Sequence, residues 1–241
     1  MITLLKKIIK LSQNPEGFGE VTDELDVNMF TSPLPKQHTH SYYEDEALGL
    51  YIGVWDTTDM IEAAAPYGCD EFMSIIEGAV EIKNSKTGLM ETIMAGDSFV
   101  IPQGYDCQWH QAGYLRKFYV IYEPQETPTK PVTENVVYID EKSEIPWQQT
   151  SDGHGKKVLY QNHNQTFTSG VWQSKGFNTG KITFPYNEFI IINQGSLTCA
   201  DDKGVEHKIT AGQALFVPQG TRCSWQAKEK ISIHFVQIKQ Q

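Results

Sequence analysis

Residues 95–109 read AGDSFVIPQGYDCQW, and residues 211–225 read AGQALFVPQGTRCSW. The two stretches share a glycine, a short apolar run, a Pro-Gln-Gly turn and a Cys-x-Trp ending, 116 residues apart. Proline cannot donate a hydrogen bond to a neighbouring strand, and glycine readily supplies the positive φ of a tight turn. Each Pro-x-Gly therefore predicts the end of a β-strand, and the repetition predicts one β-structure present twice.

Further matches extend the repeat along the chain. They are Gly53-Val54-Trp55 with Gly170-Val171-Trp172, Glu71 with Glu188, Gly78 with Gly195, and Val120 with Val236. The offset is 117 before the loss of one residue and 116 after it, which indicates a duplication. The stretch EPQETPTKPVTEN at 123–135 is rich in Pro, Thr and Glu and predicts a linker. We predict a first domain at 1–122, with a short N-terminal segment at 1–20, and a second domain at 136–241.

Each copy carries the local signals of β-structure. Short runs of β-branched and aromatic residues, such as FMSIIEG and KFYVIYE, are bounded by Gly, Asn, Asp or Pro. Their spacing is typical of sandwiches and barrels, and long stretches of helical periodicity are absent. The predicted fold class is all-β, with two antiparallel domains of one design.

Composition limits the classes of function. The 241 residues carry 30 acidic and 20 basic side chains, a formal charge of −10, so we expect no nucleic-acid partner. We expect no membrane partner, because no uninterrupted apolar run approaches about 18 residues. Lysines interrupt the apolar residues of the opening MITLLKKIIKLSQ, which predicts a short amphipathic helix or an edge segment and no signal peptide. Four cysteines are too few for a disulfide scaffold, so we predict reduced thiols and a cytoplasmic location.

The repeated residues resemble the two motifs of the cupin superfamily. The first motif ends in Glu-x6-Gly, and the second is Gly-x5-Pro-x-Gly-x2-His, which this chain matches twice except that Cys107 and Cys223 replace the histidine. The residues around the motifs, Gly-Val-Trp, Glu-Phe and the later RKFYV, are most similar to the branch of the superfamily that contains the ethanolamine-utilisation protein Q and the ureidoglycine aminohydrolases. The resemblance implies a bicupin, two tandem jelly-roll barrels of the double-stranded β-helix type, and it implies homodimers.

The resemblance also raises the question of a metal ion. A metal-binding cupin carries His-x-His four or five residues before the glutamate, but the corresponding segments here read EAAAPYGCDE and GKITFPYNE, without a histidine. We therefore predict no cofactor. A buried glutamate still needs a cation, a proton or substitute ligands, because an unpaired buried carboxylate is costly.

Three kinds of partner for Glu71 follow from spacing. Cys69 shares a strand face with Glu71, and together with Cys107 it would form an alternative site for a divalent metal such as zinc or manganese. Lys117 could supply the charge that a metal supplies elsewhere, which would make Glu71 and Lys117 a catalytic pair that orients a polar ligand or exchanges a proton with it. The third possibility is a protonated or hydrogen-bonded carboxyl beside Tyr67, Tyr119 or Trp109.

These aromatic residues, together with Glu71, are also candidate ligand-binding residues, because clefts for small organic molecules are mostly apolar with a few polar groups. The candidates in the second copy are Glu188, Tyr186, Trp225 and His234, and Ile233 stands where the first copy has Lys117. This asymmetry favours the first domain as the working site.

Three functions remain open from the sequence. The leading prediction is a bicupin that binds a small polar organic ligand without the usual metal-binding histidines, with a metal-independent activity in the first barrel. The first alternative is a metal-dependent enzyme of the aminohydrolase or isomerase type with Glu and Cys ligands. The second is a structural or regulatory dimerisation module.

Overall fold

The computed structural model describes residues 7–124, 130–150 and 153–239. Within these ranges the regular structure is β-strand, apart from one 3-10 turn at Val27–Met29, which confirms the predicted all-β class. The chain divides into two compact units. One is Gln13–Tyr138, called here the first barrel, and the other combines residues 7–12 with the chain from Ile139 onward, called here the second barrel. No helix among the described residues is long and apolar enough to cross a membrane.

Strand β1 (Ile9–Leu11) comes first along the chain and belongs to the second barrel. The first barrel contains the next eleven strands. They are β2 (Gln37–Asp45), β3 (Leu50–Thr57), β4 (Met60–Ile61), β5 (Ala65–Pro66), β6 (Asp70–Glu77), β7 (Ala79–Asn84), β8 (Met90–Met94), β9 (Ser98–Ile101), β10 (Asp106–Gln111), β11 (Leu115–Tyr122) and β12 (Val137–Tyr138). They form one sheet of order β12-β9-β6-β11-β3-β2 and a second of order β4-β10-β7-β8, in which β5 also pairs with β10.

The second barrel repeats this plan. Its remaining strands are β13 (Gln148–Gln149), β14 (Gly155–Gln161), β15 (Phe167–Ser174), β16 (Phe177–Thr183), β17 (Asn187–Gln194), β18 (Ser196–Asp201), β19 (Glu206–Thr210), β20 (Ala214–Val217), β21 (Arg222–Ala227) and β22 (Ile231–Ile238). The sheet orders are β1-β20-β17-β22-β15-β14-β13 and β16-β21-β18-β19. The inner faces of the two sheets form the core of each barrel, as alternation along a strand requires.

The glycine seven residues after each glutamate marks a turn that no other residue fits well. Gly78 and Gly195 have φ of +85° and +87°. A Cβ atom on Gly78 would lie 2.2 Å from the carbonyl oxygen of Tyr114, and one on Gly195 would lie 2.4 Å from that of Lys230. Both the left-handed backbone and the close approach therefore require glycine, which explains why the repeat retains it.

The N-terminal segment differs from the prediction that placed residues 1–20 with the first domain. Strand β1 pairs with β20, with Ile9 opposite Phe216. Ile8 and Leu11 are buried, at 4% and 2% exposure, and Ile8 packs into the core of the second barrel. Burial of these side chains and the hydrogen bonds to β20 hold the segment at the edge of a sheet of the second barrel. Of the two predictions for the segment, helix or edge, the edge segment therefore fits residues 9–11. Part of the predicted linker, 125–129, lies outside the described residues, as does 1–6 of the N-terminal segment.

Candidate functional site

The Pro-x-Gly turn of the first barrel fixes the residue that stands four positions before Glu71. The backbone N–H of Gly104 donates to the carbonyl oxygen of Tyr67 at 2.8 Å, and the N–H of Tyr67 donates to the carbonyl oxygen of Tyr105 at 2.9 Å. In metal-binding cupins this position is one of those that hold the second histidine of His-x-His. The turn quoted at the start therefore positions a tyrosine beside the motif glutamate.

Glu71 and Lys117 form an ion pair in the interior of the first barrel. Strand β6 turns Glu71, Met73 and Ile75 to one face, and Lys117 extends from the neighbouring strand β11. The ammonium nitrogen Nζ lies 2.8 Å from Oε1 of Glu71 and 3.0 Å from Sδ of Met73. Because the exposed fractions of Glu71 and Lys117 are only 4% and 6%, each charge depends on the other for its stabilisation.

Three aromatic side chains complete the surroundings of the pair. The hydroxyl of Tyr67 donates to Oε2 of Glu71, so both carboxylate oxygens have a partner. The Nζ of Lys117 lies 4.8 Å from the ring centroid of Trp55 and 4.9 Å from that of Trp109. Indole faces attract a desolvated ammonium ion, so the two tryptophans help to retain the charge of Lys117 in an apolar interior.

Tyr119 lies on the same strand as Lys117, and its hydroxyl is 3.3 Å from Oγ of Ser41. Burial raises the pKa of Tyr119 to about 12, so its hydroxyl stays protonated at neutral pH. Gly53 makes room for it, because a Cβ atom there would lie 2.4 Å from the Tyr119 hydroxyl oxygen. This close approach explains why the first Gly-Val-Trp begins with glycine.

A cavity of about 330 Å³ opens beside the pair. Its walls combine small and apolar residues with a few polar ones: Asn28, Met29, Glu62, Ala63, Ala65, Pro66, Tyr67, Gly68, Ile82, Ile101, Cys107 and Trp109. Glu71 and Lys117 are not part of this lining, and Tyr67 connects them to it through its hydroxyl. Ala65 lies directly opposite Cys107 across β5 and β10, so positions that hold histidines in metal-binding cupins border an open space here.

Sequence reasoning did not identify Glu62, which lies outside both motifs. The backbone N–H of Glu62 donates to the carbonyl oxygen of Trp109 at 3.0 Å, which places the residue at the cavity wall. Its carboxyl group has no hydrogen bond or ion pair within the described part of the chain. The pKa of Glu62 is raised to about 7, chiefly by burial; the positive charge of Lys117 opposes the shift, and the negative charge of Glu71 makes a smaller contribution in the same direction as burial.

The structure does not bring the side chains of the alternative metal site, Cys69, Glu71 and Cys107, together as a set of metal ligands. Burial, reinforced by the charge of Glu71, raises the pKa of the Cys69 thiol well above its usual range, and burial raises that of Cys107 to about 12. Both thiols are therefore protonated in this structure, and both oxygens of Glu71 already have partners, Tyr67 and Lys117. Within residues 7–124, 130–150 and 153–239, no group of three or more His, Cys, Asp or Glu side chains is placed to hold a metal ion.

The second barrel surrounds its glutamate differently. Ile233 occupies the position of Lys117 and packs in the apolar core. Glu188 accepts a hydrogen bond at 2.9 Å from Nε2 of Gln237, whose Oε1 accepts one at 3.0 Å from Nζ of Lys156. Burial raises the pKa of Glu188, while Gln237 and the charge of Lys156 oppose the shift. Glu188 therefore meets its cation only through an amide.

In the second barrel an aromatic pair takes the position that Tyr67 holds in the first. The turn at Gly220 holds Phe184 by the same two backbone hydrogen bonds, at 2.8 and 2.9 Å, that hold Tyr67 in the first barrel. The ring of Phe184 packs on that of the buried Trp225 with centroids 4.8 Å apart. Tyr186 is partly buried, and the ammonium of Lys239 lies 5.9 Å from its ring.

His234 is not brought together with Glu188. Ile233 and its neighbours at alternate positions face the core, so His234 points to the other face of β22. There its Nε2 contacts the side-chain amide of Asn193 and lies 3.9 Å from Oε2 of Glu141. The structure thus separates His234 from the other three residues predicted for a site in the second barrel.

The chain belongs to the EutQ-like cupin domain family, whose profile matches residues 49–119 and 162–235. These two segments correspond to the two barrels, which confirms the tandem cupin architecture predicted from the repeat. No curated protein matches the sequence.

Solved structures show the same fold at low sequence identity. A protein of unknown function from Pseudomonas syringae pv. tomato is 17% identical, with a TM-score of 0.77, and the match covers 96% of this chain and 99% of that protein. A cupin 2 conserved barrel domain protein from Leptotrichia buccalis is 13% identical, with a TM-score of 0.63 and coverage of 88% and 100%. A salicylate 1,2-dioxygenase from Pseudaminobacter salicylatoxidans is 12% identical, with a TM-score of 0.57 and coverage of 83% and 76%. At these identities the comparison shows the fold and not a shared activity.

Proposed function

We propose that the first barrel binds a small polar organic molecule in the cavity beside Tyr67 and Trp109, without a metal ion. The observation that carries the proposal is the buried Glu71–Lys117 pair, which lies behind a cavity of about 330 Å³ and is joined to it by the Tyr67 hydroxyl. A mostly apolar cleft with a few polar groups is the usual form of a small-molecule site.

The same geometry supports a metal-independent activity based on proton exchange. Tyr67 contacts Glu71 at its hydroxyl and the cavity along its ring, so it lies between the ion pair and a bound molecule. Lys117 holds the other oxygen of Glu71 and fixes the direction of the carboxylate. We infer that Glu71 and Lys117 act as the proton-exchanging pair, with Trp109 as an apolar wall that orients the ligand.

A thermal-shift screen of small carboxylates, amines and sugars tests ligand binding, because a molecule that binds only the folded form must raise the melting temperature. The variant Ala65→Phe fills the cavity opposite Cys107. Its matched control is Ile182→Phe, since Ile182 lies opposite Cys223 in the second barrel. We expect at least one compound to stabilise the wild type and Ile182→Phe but not Ala65→Phe. A stabilising effect that survives Ala65→Phe would place the ligand elsewhere, and a screen without any effect would favour a structural or regulatory module.

Elemental analysis of the untagged protein tests metal independence. We expect zinc, manganese, iron and nickel at trace levels relative to protein. A near-stoichiometric amount of any of them that falls in Cys107→Ser would instead support the metal-dependent alternative.

A homodimer remains part of the proposal. Leu89, Met90 and Met94 expose 60%, 40% and 55% of their surface on or beside β8, the last strand of its sheet in the described residues. An exposed apolar edge strand is a ready surface for pairing with a second chain. Sedimentation equilibrium of the wild type and of Met94→Lys would show whether a dimer forms and whether this edge contributes to it.

A further inference from the structure

We propose that the ligand of the first barrel carries a protonated amine, which binds the carboxylate of Glu62 inside the cavity. This inference rests on the proposed function, and it adds the chemical class of the ligand and the residue that recognises it. Glu62 is the acidic residue of the cavity wall, and its carboxyl group has no hydrogen bond or ion pair among the described residues. Glu71 and Lys117 already satisfy one another, and Tyr67 is bound to Glu71.

The balance of charge around the cavity favours a cation. The carboxyl group of Glu62 is close enough to Glu71 and Lys117 to be influenced by the charge of both. Lys117 is 2.8 Å from Glu71, so its charge is largely committed there. An anionic ligand would add a third negative charge near the carboxyl groups of Glu62 and Glu71, whereas an ammonium ligand would balance the carboxylate of Glu62.

The walls around Glu62 fit an ammonium group attached to an apolar body. The same lining includes the small side chains of Ala63 and Ala65 and the large apolar ones of Trp109 and Ile82. The thiol of Cys107 is neutral because burial raises its pKa to about 12, so it brings no competing charge. Glu62 therefore carries the one charged group of the lining that the structure describes; the Glu71–Lys117 pair lies behind Tyr67 and is not part of the lining.

Three probes of similar size and different charge test the inference: cyclohexylmethylamine, cyclohexylmethanol and cyclohexanecarboxylate. Isothermal titration calorimetry at about pH 8.5 keeps both Glu62 and the amine ionised. In the wild type we expect the amine to bind at least about tenfold more tightly than the alcohol, because a hydrogen bond between charged groups is stronger than a neutral one. The carboxylate should bind most weakly.

Glu62→Gln keeps the size of the side chain and removes its charge. We expect this variant to lose the preference for the amine and to bind the alcohol as the wild type does. Glu81→Gln, which removes an exposed carboxylate from β7 of the same barrel, is the matched control and should behave as the wild type. Ala65→Phe should abolish binding of all three probes.

The two proposals fail in different ways. If the alcohol or the carboxylate binds in an Ala65-dependent manner as tightly as the amine, or if Glu62→Gln retains the preference, the ammonium inference is wrong and the small-molecule site stands. If none of the three probes and no compound of the thermal-shift screen binds at the cavity, the proposed function fails and the inference falls with it. Tight amine binding that Ala65→Phe does not affect would also overturn the inference.

Discussion

The two barrels share a backbone plan and differ in what fills it. Three polar side chains of the first barrel, Lys117, Tyr67 and Tyr119, correspond by the repeat offset to Ile233, Phe184 and Phe235. The three replacements belong to the apolar core of the second barrel. The turns that position Tyr67 and Phe184 make the same backbone hydrogen bonds. The difference therefore lies in side chains on one scaffold, which is why the fold alone does not tell which barrel carries a site.

The glutamates show how the scaffold accommodates the change. Glu71 meets an ammonium directly, whereas Glu188 is bound by the amide of Gln237, which is bound in turn by Lys156. A buried carboxylate requires compensation in either case. In the first barrel the ion pair lies behind a cavity, whereas in the second barrel the residue that corresponds to Tyr67, Phe184, packs on Trp225.

The largest expected effect on stability comes from replacing Lys117 of the ion pair with an apolar residue, as in the second barrel. Lys117→Met leaves Glu71 buried without its cation, and we expect a loss of about 3–5 kcal/mol in the free energy of unfolding. Ile233→Met is the matched control at the equivalent position and should cost less than about 1.5 kcal/mol, because it exchanges one apolar side chain for another. Urea unfolding of both variants measures the difference.

A double variant separates the lost charge from the lost packing. Glu71→Leu combined with Lys117→Met removes both charges, and we expect it to recover most of the stability that Lys117→Met loses. If Lys117→Met and Ile233→Met lower the free energy of unfolding equally, the Glu71–Lys117 pair is not desolvated. The two barrels would then not differ in how they stabilise their buried glutamates.

The repeat predicted the architecture because its signals are local. Gly78 and Gly195 are required by backbone conformation and close approach, and the Pro-x-Gly turns end strands wherever they occur. Spacing also made Lys117 one of the three kinds of partner left open for Glu71, and the structure places both Lys117 and Tyr67 on its carboxylate. These features depend on a few residues at fixed spacing, which a sequence shows directly.

Glu62 and the N-terminal strand depend instead on tertiary contacts. Glu62 lies nine residues before Glu71 in a segment of alanines, and only the packing of Trp109 and Ala65 makes it part of a cavity. Ile8 and Leu11 read equally well as a helix face or a strand edge until β20 provides the pairing partner. His234 was assigned by its nearness in sequence to Ile233, but alternation along β22 turns it to the other face.

The next effect, intermediate in size, concerns the pH dependence of stability. The pKa of Glu62 is about 7 in the folded chain against an ordinary value of 4.5, so the folded state holds its proton longer than the unfolded state does. Stability should therefore fall as pH rises from about 4.5 to 7 and remain lower above that range. Glu62→Gln removes this penalty, and we expect it to be more stable than the wild type by about 3 kcal/mol above pH 7.

Measuring the stability of Glu62→Gln and of the wild type at several pH values distinguishes an effect of the raised Glu62 pKa from a simple change of packing. Glu62→Gln and the wild type should have the same unfolding midpoint in urea at about pH 4, where both states of the wild type hold the proton. Glu81→Gln is the control for loss of a surface carboxylate. A constant difference between Glu62→Gln and the wild type at all pH values would show that the carboxyl is not perturbed by burial.

The smallest effect comes from exchanging the residues that the two turns hold. Tyr67→Phe gives the first barrel the residue of the second and removes the hydrogen bond to Oε2 of Glu71, which should cost about 1–2 kcal/mol because the acceptor is charged and buried. The reciprocal Phe184→Tyr adds a hydroxyl to the ring that packs on Trp225, and a buried hydroxyl that finds no hydrogen-bond partner there should cost a similar amount. If instead Tyr67→Phe leaves the urea midpoint unchanged, the Tyr67 hydroxyl is not bound to Glu71 in solution. The cavity would then have no connection to the ion pair, and its ligand would be recognised by Glu62 without it.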